Sequence, residues 1–187
     1  MQTRVILLNG APSSGKDSIA SYMCGQLHGL IHKEFKEKLF ELVKVIYSVS
    51  DERFSELYKD KETPCEEYYG LSPRQVMIKV SEEVIKPVYG ERYFGEQAAK
   101  GLVSGKTNIF SDSGFIEEAH PIIEKVGTDN ILLLKIVDRG DFSEDSRGFL
   151  PESLFKNVSV VSNTGTLDSF LNTAWGEIFS FLGASNE

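Results

Sequence analysis

The chain has 187 residues, of which 41% are hydrophobic and 26% are charged. This is the composition of an ordinary globular domain, which excludes an intrinsically disordered protein. Twenty basic and twenty-eight acidic residues give a formal net charge of −8, which argues against nonspecific binding to nucleic acid or to an anionic membrane. A local basic cluster is still able to bind a small anion.

Cysteine, histidine and hydropathy patterns exclude several further classes. Cys24 and Cys65 are too few for a disulfide framework, and the three histidines have no cysteine or carboxylate partner at the spacing of a metal motif. The apolar run 5–8 is too short for a signal peptide, and no apolar run reaches the roughly 20 residues of a membrane span. We therefore expect a cytoplasmic protein.

Short apolar runs alternate with amphipathic patterns along the chain. Strands are predicted at 4–9, 28–35, 107–111, 130–137 and 158–161. Helices are predicted at 16–27, 36–47, 91–103 and 116–126, with another that begins at Ser72-Pro73 and ends at Pro87, and an amphipathic helix closes the chain. This alternation predicts an α/β fold, with a parallel sheet of about five strands flanked by helices and with ligands beyond the C-terminal ends of the strands.

The segment Gly10-Ala11-Pro12-Ser13-Ser14-Gly15-Lys16 follows the first predicted strand and matches the G-x-x-x-x-G-K pattern of a phosphate-binding loop. Glycines let the backbone curl so that its N–H groups point at phosphate oxygens, and the start of the next helix favours an anion. Lys16 is placed to reach the β- and γ-phosphates. A glycine-rich turn that carries a lysine is the alternative, but the strand before it and the helix after it favour the phosphate loop.

The loop departs from the usual pattern directly after its lysine. The Ser or Thr that normally binds Mg²⁺ is replaced by Asp17, and Ser18 comes one place later. Asp17 either binds the metal, directly or through water, or starts the helix as a residue that the helix dipole stabilises. Both interpretations stay open, and Asp17 and Ser18 are candidate metal ligands.

Acidic residues near the third predicted strand are candidates for the same site. Asp112 directly follows the apolar run 107–111, so we expect it at the end of the sheet beside the phosphate loop. There it either supports a metal or an acceptor group, or caps the next turn. Glu117 and Glu118 are expected on a solvated helix face.

Three basic residues are candidates for binding a second anionic group. Arg74 lies on the first turn of a predicted helix, where its planar guanidinium is able to fork onto a phosphate. Lys36 and Arg53 are further candidates. For each of the three, a surface ion pair is the alternative.

The polar segment 138–151 contains two more arginines, Arg139 and Arg147, and glycines near both of them. It is predicted to be a lid that closes over a ligand, excludes water and delivers positive charge. The alternative is an acidic surface loop whose arginines pair with Asp141, Glu144 or Asp145. Asn163 and Gly165, after the last strand, either surround a donor base or form a simple turn before the final helix.

Gly15-Lys16-Asp17-Ser18 resembles the phosphate loop of bacteriophage deoxynucleoside monophosphate kinases, which belong to the larger group of P-loop nucleoside monophosphate kinases. Shorter likenesses extend discontinuously over most of the chain: Phe35-Lys36 with Lys38, the segments 72–77, 111–113 and 162–167, and the two arginines of 138–151. Asp17 departs from the loop's usual Ser or Thr, and the lid is short.

This resemblance implies a P-loop kinase fold over residues 1–187, with a helical acceptor-binding subregion at about 36–104 and a lid at about 138–151. It implies transfer of the γ-phosphoryl group of ATP, with Mg²⁺, to a (deoxy)nucleoside monophosphate in the host cytoplasm, and it is compatible with a homodimer. In these roles Lys16, Asp112, Arg139 and Arg147 are catalytic; residues 10–18, Asn163 and Gly165 bind ATP; Arg74, Lys36 and Arg53 bind the acceptor; and Asp17, Ser18 and Asp112 bind Mg²⁺. A kinase of another small phosphorylated metabolite and a nucleotide-binding ATPase or switch are the alternatives.

Overall fold

A computed structural model describes residues 2–143 and 145–183. Its five strands form one parallel sheet, as the sequence predicts, and their order is β2-β3-β1-β4-β5. They are β1 (Arg4–Asn9), β2 (Leu30–Lys33), β3 (Thr107–Ser113), β4 (Ile131–Val137) and β5 (Asn157–Ser162). Because the strands are parallel, their C-terminal ends meet at one edge of the sheet, with β1 and the phosphate loop at its centre.

Helices cover both faces of the sheet. Within the described residues they are α1 (Lys16–Gln26), α2 (Glu37–Tyr47), α3 (Asp51–Leu57), α4 (Pro73–Ile78), α5 (Lys86–Tyr89), α6 (Tyr93–Lys100), α7 (Ile116–Val126) and α8 (Leu167–Gly183). α1 and α8 pack on one face through Ile19, Met23, Phe170 and Ile178. The opposite face is covered by α6 and α7, which contribute Ala99, Ala119 and Ile122. The central strands are therefore buried on both faces, which explains their continuous apolar sequences.

The helices between β2 and β3 have a core of their own, formed by Val43, Phe54, Val76, Val80 and Phe94 among others. In this region α4 begins as predicted: Ser72 Oγ accepts a hydrogen bond from the Gln75 backbone, and the Gln75 side chain accepts one from the Ser72 backbone. The capping box fixes the start of the helix that carries Arg74.

The end predicted for that helix, at Pro87, is wrong. Residues Lys79–Ile85 form a π-helix, and α5 continues the chain through Pro87. Pro87 is the second residue of α5, which follows the π-helix without a break, so this proline lies within a helical stretch and does not end it. The helix α3 was also not individually predicted; Ser50 caps it by accepting a hydrogen bond from the backbone N–H of Arg53 at 3.2 Å.

A search of the described helices for a length and hydropathy sufficient to cross a lipid bilayer finds none.

Candidate functional site

The phosphate loop joins the end of β1 to the start of α1. Gly15 immediately precedes the helix with φ +103°, and a Cβ atom there would lie 2.7 Å from the ring of Phe170, so only glycine fits. Lys16 curls back over the loop, and its Nζ donates hydrogen bonds of 2.7 Å to the carbonyl oxygens of Gly10 and Ala11. The ammonium group is therefore held at the mouth of the loop.

Lys16 is a buried cation, only 7% exposed. Burial is the main cause that lowers its pKa to about 8, and the positive charge of Arg147 lowers it further, against the opposing effects of Asp17, Asp145 and Asp112. An anion placed at the loop would offset both causes and would raise the pKa of Lys16 again. The electrostatics of the loop therefore favour a phosphate group.

Asn163, directly after the edge strand β5, supports the phosphate loop. Its side-chain Nδ2 donates a 2.8 Å hydrogen bond to the carbonyl oxygen of Ser14, and its backbone N–H donates to Val137. Both Asn163 and Ser14 are buried. The structure thus gives Asn163 a loop-bracing role, whereas its contact with a donor base, and that of Gly165 in the turn before α8, remain predictions.

Asn9 is a site residue that the sequence analysis missed. It ends β1, is fully buried, and its Nδ2 donates to the carbonyl oxygens of Ser113 and Gly148 at 3.0 Å each. Its Oδ1 accepts a 2.8 Å hydrogen bond from the backbone N–H of Leu150. One amide therefore joins β1, β3 and the C-terminal end of the segment 138–151. The only sequence signal was a polar residue at the end of an apolar run.

The segment 138–151 lies against the phosphate loop. Gly140 has φ +78°, and a Cβ atom there would lie 2.1 Å from the carbonyl oxygen of Pro12, so the segment enters the site at a position that requires glycine. Arg139 is exposed and has no hydrogen bond or ion pair with any described residue. Arg139 thus directly precedes the residue at which the segment meets the loop.

Arg147 is held by its own segment. Its Nε and Nη2 donate to the two carboxylate oxygens of Asp145 at 2.8 and 2.6 Å, and its aliphatic stem covers Gly114. This bidentate pair raises the pKa of Arg147, against the opposing effect of burial. Pairing with an acidic residue of the segment, one of the two sequence-based alternatives, is therefore observed for Arg147, while its charge still reaches Lys16.

Asp112 is buried at the end of β3, as its position after an apolar run predicts. Its two carboxylate oxygens accept hydrogen bonds from the backbone N–H groups of Phe35 and Lys36, at 2.9 and 3.3 Å. Burial is the main cause that raises its pKa. Asp112 thus stabilises the turn between β2 and α2. The alternative offered by the sequence was a cap of the turn that follows Asp112 itself.

Glu118 corrects the expectation that both Glu117 and Glu118 lie on a solvated helix face. Glu117 is exposed, but Glu118 is buried because α7 packs closely on α6, where the Gly95 backbone meets that of Glu118. Burial, followed by the charge of Asp112, raises the pKa of Glu118 to about 8. Glu118 therefore places a carboxyl group that is protonated near neutrality in the neighbourhood of Asp112.

Lys61, in the connection between α3 and α4, is a second residue that the sequence analysis missed. Its Nζ is 4.5 Å from the ring centroid of Tyr58, and its carbonyl oxygen accepts a 3.0 Å hydrogen bond from the Arg74 backbone. Burial and then the charges of Lys36 and Arg74 lower the pKa of Lys61. Three cations thus gather beside Tyr58, and a bound dianion would relieve their mutual repulsion.

Lys36 and Arg74, both predicted from the sequence, each form one ion pair. Lys36 Nζ lies 2.8 Å from Glu34, and Arg74 Nε donates to Glu62 at 2.6 Å. Burial alone would lower the pKa of Lys36, but the carboxylates of Asp112 and Glu34 outweigh it and raise the pKa. The Arg74 pair is exposed, and such pairs contribute about 0–1 kcal/mol, so a phosphate is able to displace Glu62.

Arg53 is not brought together with these cations. It lies on α3, and its guanidinium forms ion pairs with Glu56 at 2.9 Å and with Glu67 at 2.5 Å. These side-chain hydrogen bonds raise the pKa of Arg53. The contacts match the surface ion pair that was the alternative interpretation of this residue.

The candidate metal ligands also differ from expectation. Asp17, on the first turn of α1, lies close to His32 and Glu34 near the end of β2, with one ligand atom from each residue within 4.8 Å of the others. No metal-motif spacing links His32 to Asp17 in the sequence, and the fold nevertheless brings the two residues together with Glu34. Ser18 is exposed on the same helical turn, and Asp112 is not part of this group.

Comparisons with known proteins find a sequence relative, and solved structures of low sequence identity that include the two described below. No protein-family model matches the chain. A protein of Acanthamoeba polyphaga mimivirus named "Putative deoxynucleotide monophosphate kinase" is 33% identical over 82 residues, which is 44% of this chain and 42% of the relative. The chain therefore matches less than half the length of this curated relative.

The two solved structures are each 14% identical to the chain. A gluconokinase from Sinorhizobium meliloti 1021 matches 93% of this chain and 90% of its own with a TM-score of 0.44. A thymidylate kinase from Candida albicans matches 96% of this chain and 92% of its own with a TM-score of 0.46. Similarity at this level carries no argument about substrates.

Proposed function

We propose that this protein is an ATP-dependent kinase that transfers the γ-phosphoryl group to a nucleoside monophosphate, with deoxynucleoside monophosphates as the preferred class. The observation that carries the proposal is a pair of cationic sites whose charges act on shared carboxylates. The first is the phosphate loop with Lys16, and the second is the group of Lys36, Lys61 and Arg74. An ATPase or a switch needs only the first, whereas a kinase with an anionic acceptor needs both.

Charge interactions support the placement of the two sites near each other. The negative charge of Asp17, directly after Lys16, opposes the lowering of the pKa of Lys61. The negative charge of Asp112 likewise favours the protonated forms of both Lys16 and Lys36. Such mutual effects require the groups to be near one another. The name of the mimivirus relative supports a nucleotide as the acceptor.

On the donor side, the backbone of residues 10–15 and the start of α1 would bind the β- and γ-phosphates of ATP. Lys16 would exchange its bonds to the loop carbonyls for bonds to phosphate oxygens, and Arg139 would approach from the lid. Because the lid packs on the loop at Gly140, it would also exclude water from the γ-phosphate. Arg147 would add positive charge there only in part, since Asp145 neutralises it.

On the acceptor side, Lys61 and Arg74 would bind the phosphate of the monophosphate. Lys36 would complete that site, and Asp112 would act as a positioning residue because it holds the backbone N–H of Lys36. Placing two anionic groups in line and neutralising their charge is the main task of a phosphoryl-transfer enzyme.

The donor set near the loop fits a divalent cation such as Mg²⁺. Asp17 is exposed and offers carboxylate oxygens, and Ser18 offers a hydroxyl on the same turn. Asp112 is a poorer direct ligand, since backbone N–H groups already occupy both of its oxygens. When bound, Mg²⁺ would neutralise charge on the transferring phosphates.

The proposal is tested by ADP release from Mg·ATP in the presence of each ribo- and deoxynucleoside monophosphate. We expect strong stimulation by one or a few monophosphates, and its loss in Lys16→Ala. Lys100→Ala is the matched control, because Lys100 is an exposed lysine at the end of α6. If only other phosphorylated metabolites stimulate ADP release, the protein is a kinase of such a metabolite and not of a nucleotide. ADP release that does not depend on any acceptor would favour an ATPase.

A further inference from the structure

We propose that Asp17, His32 and Glu34 form a preformed site for a divalent cation, which binds Mn²⁺ or Co²⁺ before any nucleotide and in preference to Mg²⁺. The three residues come from two elements that are separated in the sequence. Asp17 is on the first turn of α1, whereas His32 lies in β2 and Glu34 directly follows it. One ligand atom from each lies within 4.8 Å of the other two, close enough for a single ion to contact all three.

The hydrogen bond of His32 suits a metal ligand. Its Nε2 lies 2.8 Å from the hydroxyl oxygen of Ser111, a buried residue of β3. In the tautomer protonated at Nε2, the ring donates to this hydroxyl and leaves the lone pair of Nδ1 for a metal. A second hydrogen bond of this kind fixes the tautomer and orientation of metal-binding histidines.

The carboxylates keep enough donor capacity for an ion. Glu34 forms an ion pair with Lys36 through Oε1, at 2.8 Å, which leaves its second carboxylate oxygen for the metal. Asp17 is exposed, and no ion pair joins it to another described residue. Lys36 and Lys61 lie nearby and oppose a cation, so we expect moderate rather than tight binding.

The mixed donor set determines which ion is preferred. Mg²⁺ favours oxygen ligands and water in a strict octahedron, whereas imidazole nitrogen favours later first-row transition ions. One imidazole and two carboxylates therefore favour Co²⁺ and Mn²⁺ over Mg²⁺. Binding requires no nucleotide, so this inference stands or falls independently of the proposed kinase activity.

The test is calorimetric titration of the nucleotide-free full chain with CoCl₂, and separately with MgCl₂. We expect one Co²⁺ per chain, bound at least tenfold more tightly than Mg²⁺. His32→Ala is expected to weaken Co²⁺ binding at least tenfold while changing Mg²⁺ binding by less than about threefold. Asp17→Asn and Glu34→Gln are expected to weaken the binding of both ions.

His28→Ala is the matched control, because His28 is an exposed histidine four positions away and outside this group. His32→Gln, which retains an amide able to hydrogen-bond Ser111, gives a second variant if His32→Ala does not fold. Absence of saturable Co²⁺ binding at millimolar concentration would overturn the proposal. Unchanged Co²⁺ affinity in folded variants of His32 would overturn it equally.

Discussion

Asn9, the last residue of β1, donates a 3.0 Å hydrogen bond to the carbonyl oxygen of Gly148, near the C-terminal end of the segment 138–151. The same amide binds the backbones of Ser113 and Leu150, so the central strand is joined both to β3 and to this segment. The phosphate loop begins at the next residue. Asn9 therefore couples the position of the segment to the strand that carries the loop.

We expect Asn9→Ala to lower the free energy of unfolding by about 2–4 kcal/mol, because it leaves buried backbone groups of Ser113, Gly148 and Leu150 without their partner. Urea denaturation measures the change. Asn172→Ala, at an exposed position of α8, is the control and should change the stability by less than about 0.5 kcal/mol. Equal stability of the two variants would show that the Asn9 amide does not join these elements.

Glu118 predicts a loss of stability as the pH rises. Its pKa in the folded protein is about 8, against an ordinary value of 4.5, so the folded state holds its proton more tightly than the unfolded state. The contribution of protonated Glu118 to the free energy of unfolding is complete below pH 4.5 and is lost progressively as the pH rises through about 8. Glu118→Gln keeps the size but removes the ionisation.

We therefore expect Glu118→Gln to gain on the order of 4 kcal/mol of stability relative to the wild type between pH 5 and pH 8.5, since each unit of pKa shift corresponds to about 1.4 kcal/mol. Chemical denaturation at the two pH values measures the difference. Glu117→Gln, the exposed neighbour on α7, should show no such pH-dependent gain. A gain of equal size in both variants would contradict the burial of Glu118.

The lowered pKa of Lys16 leads us to predict that the protein takes up protons when it binds a nucleotide near pH 8. Its pKa of about 8 leaves it roughly half protonated at that pH, and the phosphates of a bound nucleotide would raise the pKa again. We expect an uptake of up to about half a proton per chain at pH 8 and little at pH 6.5. Calorimetric titration with ADP in two buffers of different ionisation enthalpy measures it.

Lys16→Arg is the control for this uptake, because an arginine remains protonated at both pH values. Its uptake at pH 8 should be close to zero wherever binding is retained. Proton release by the wild type, or the same uptake in Lys16→Arg, would contradict a lowered pKa at Lys16.

The acceptor site predicts different effects for two exposed arginines. Arg74→Ala and Lys61→Ala should each raise the KM for the monophosphate at least tenfold, equivalent to about 1.4 kcal/mol, with little effect on the KM for ATP. Arg53→Ala should change neither constant more than about twofold, because Arg53 pairs with Glu56 and Glu67 away from Lys61. A larger effect at Arg53 than at Arg74 would reverse the assignment.

The sheet and the phosphate loop were predictable because their signals are local. Each central strand is a continuous apolar run, and the glycines and lysine of the loop follow β1 at fixed spacing. The start of α4 was equally accessible, since Ser72, Pro73 and Gln75 form a capping box within four residues. Such features depend on neighbouring residues and not on the tertiary fold.

The residues that were missed depend on tertiary contacts. His32 meets Asp17 only because β2 packs beside α1, and Lys61 meets Lys36 only because the α3–α4 connection reaches the end of β2. Glu118 is indistinguishable from Glu117 in the sequence, and its burial follows from the close approach of Gly95 on α6. None of these juxtapositions has a sequence spacing that reveals it.

The central claim, transfer of the γ-phosphoryl group to a monophosphate, is tested most directly with ATP labelled at the γ-phosphorus. The reaction products are separated after incubation with Mg²⁺ and the monophosphates that stimulate ADP release. We predict that the label appears in a nucleoside diphosphate of the acceptor base, and that Lys16→Ala loses this product. Label found only in inorganic phosphate, whichever monophosphate is present, would contradict the account.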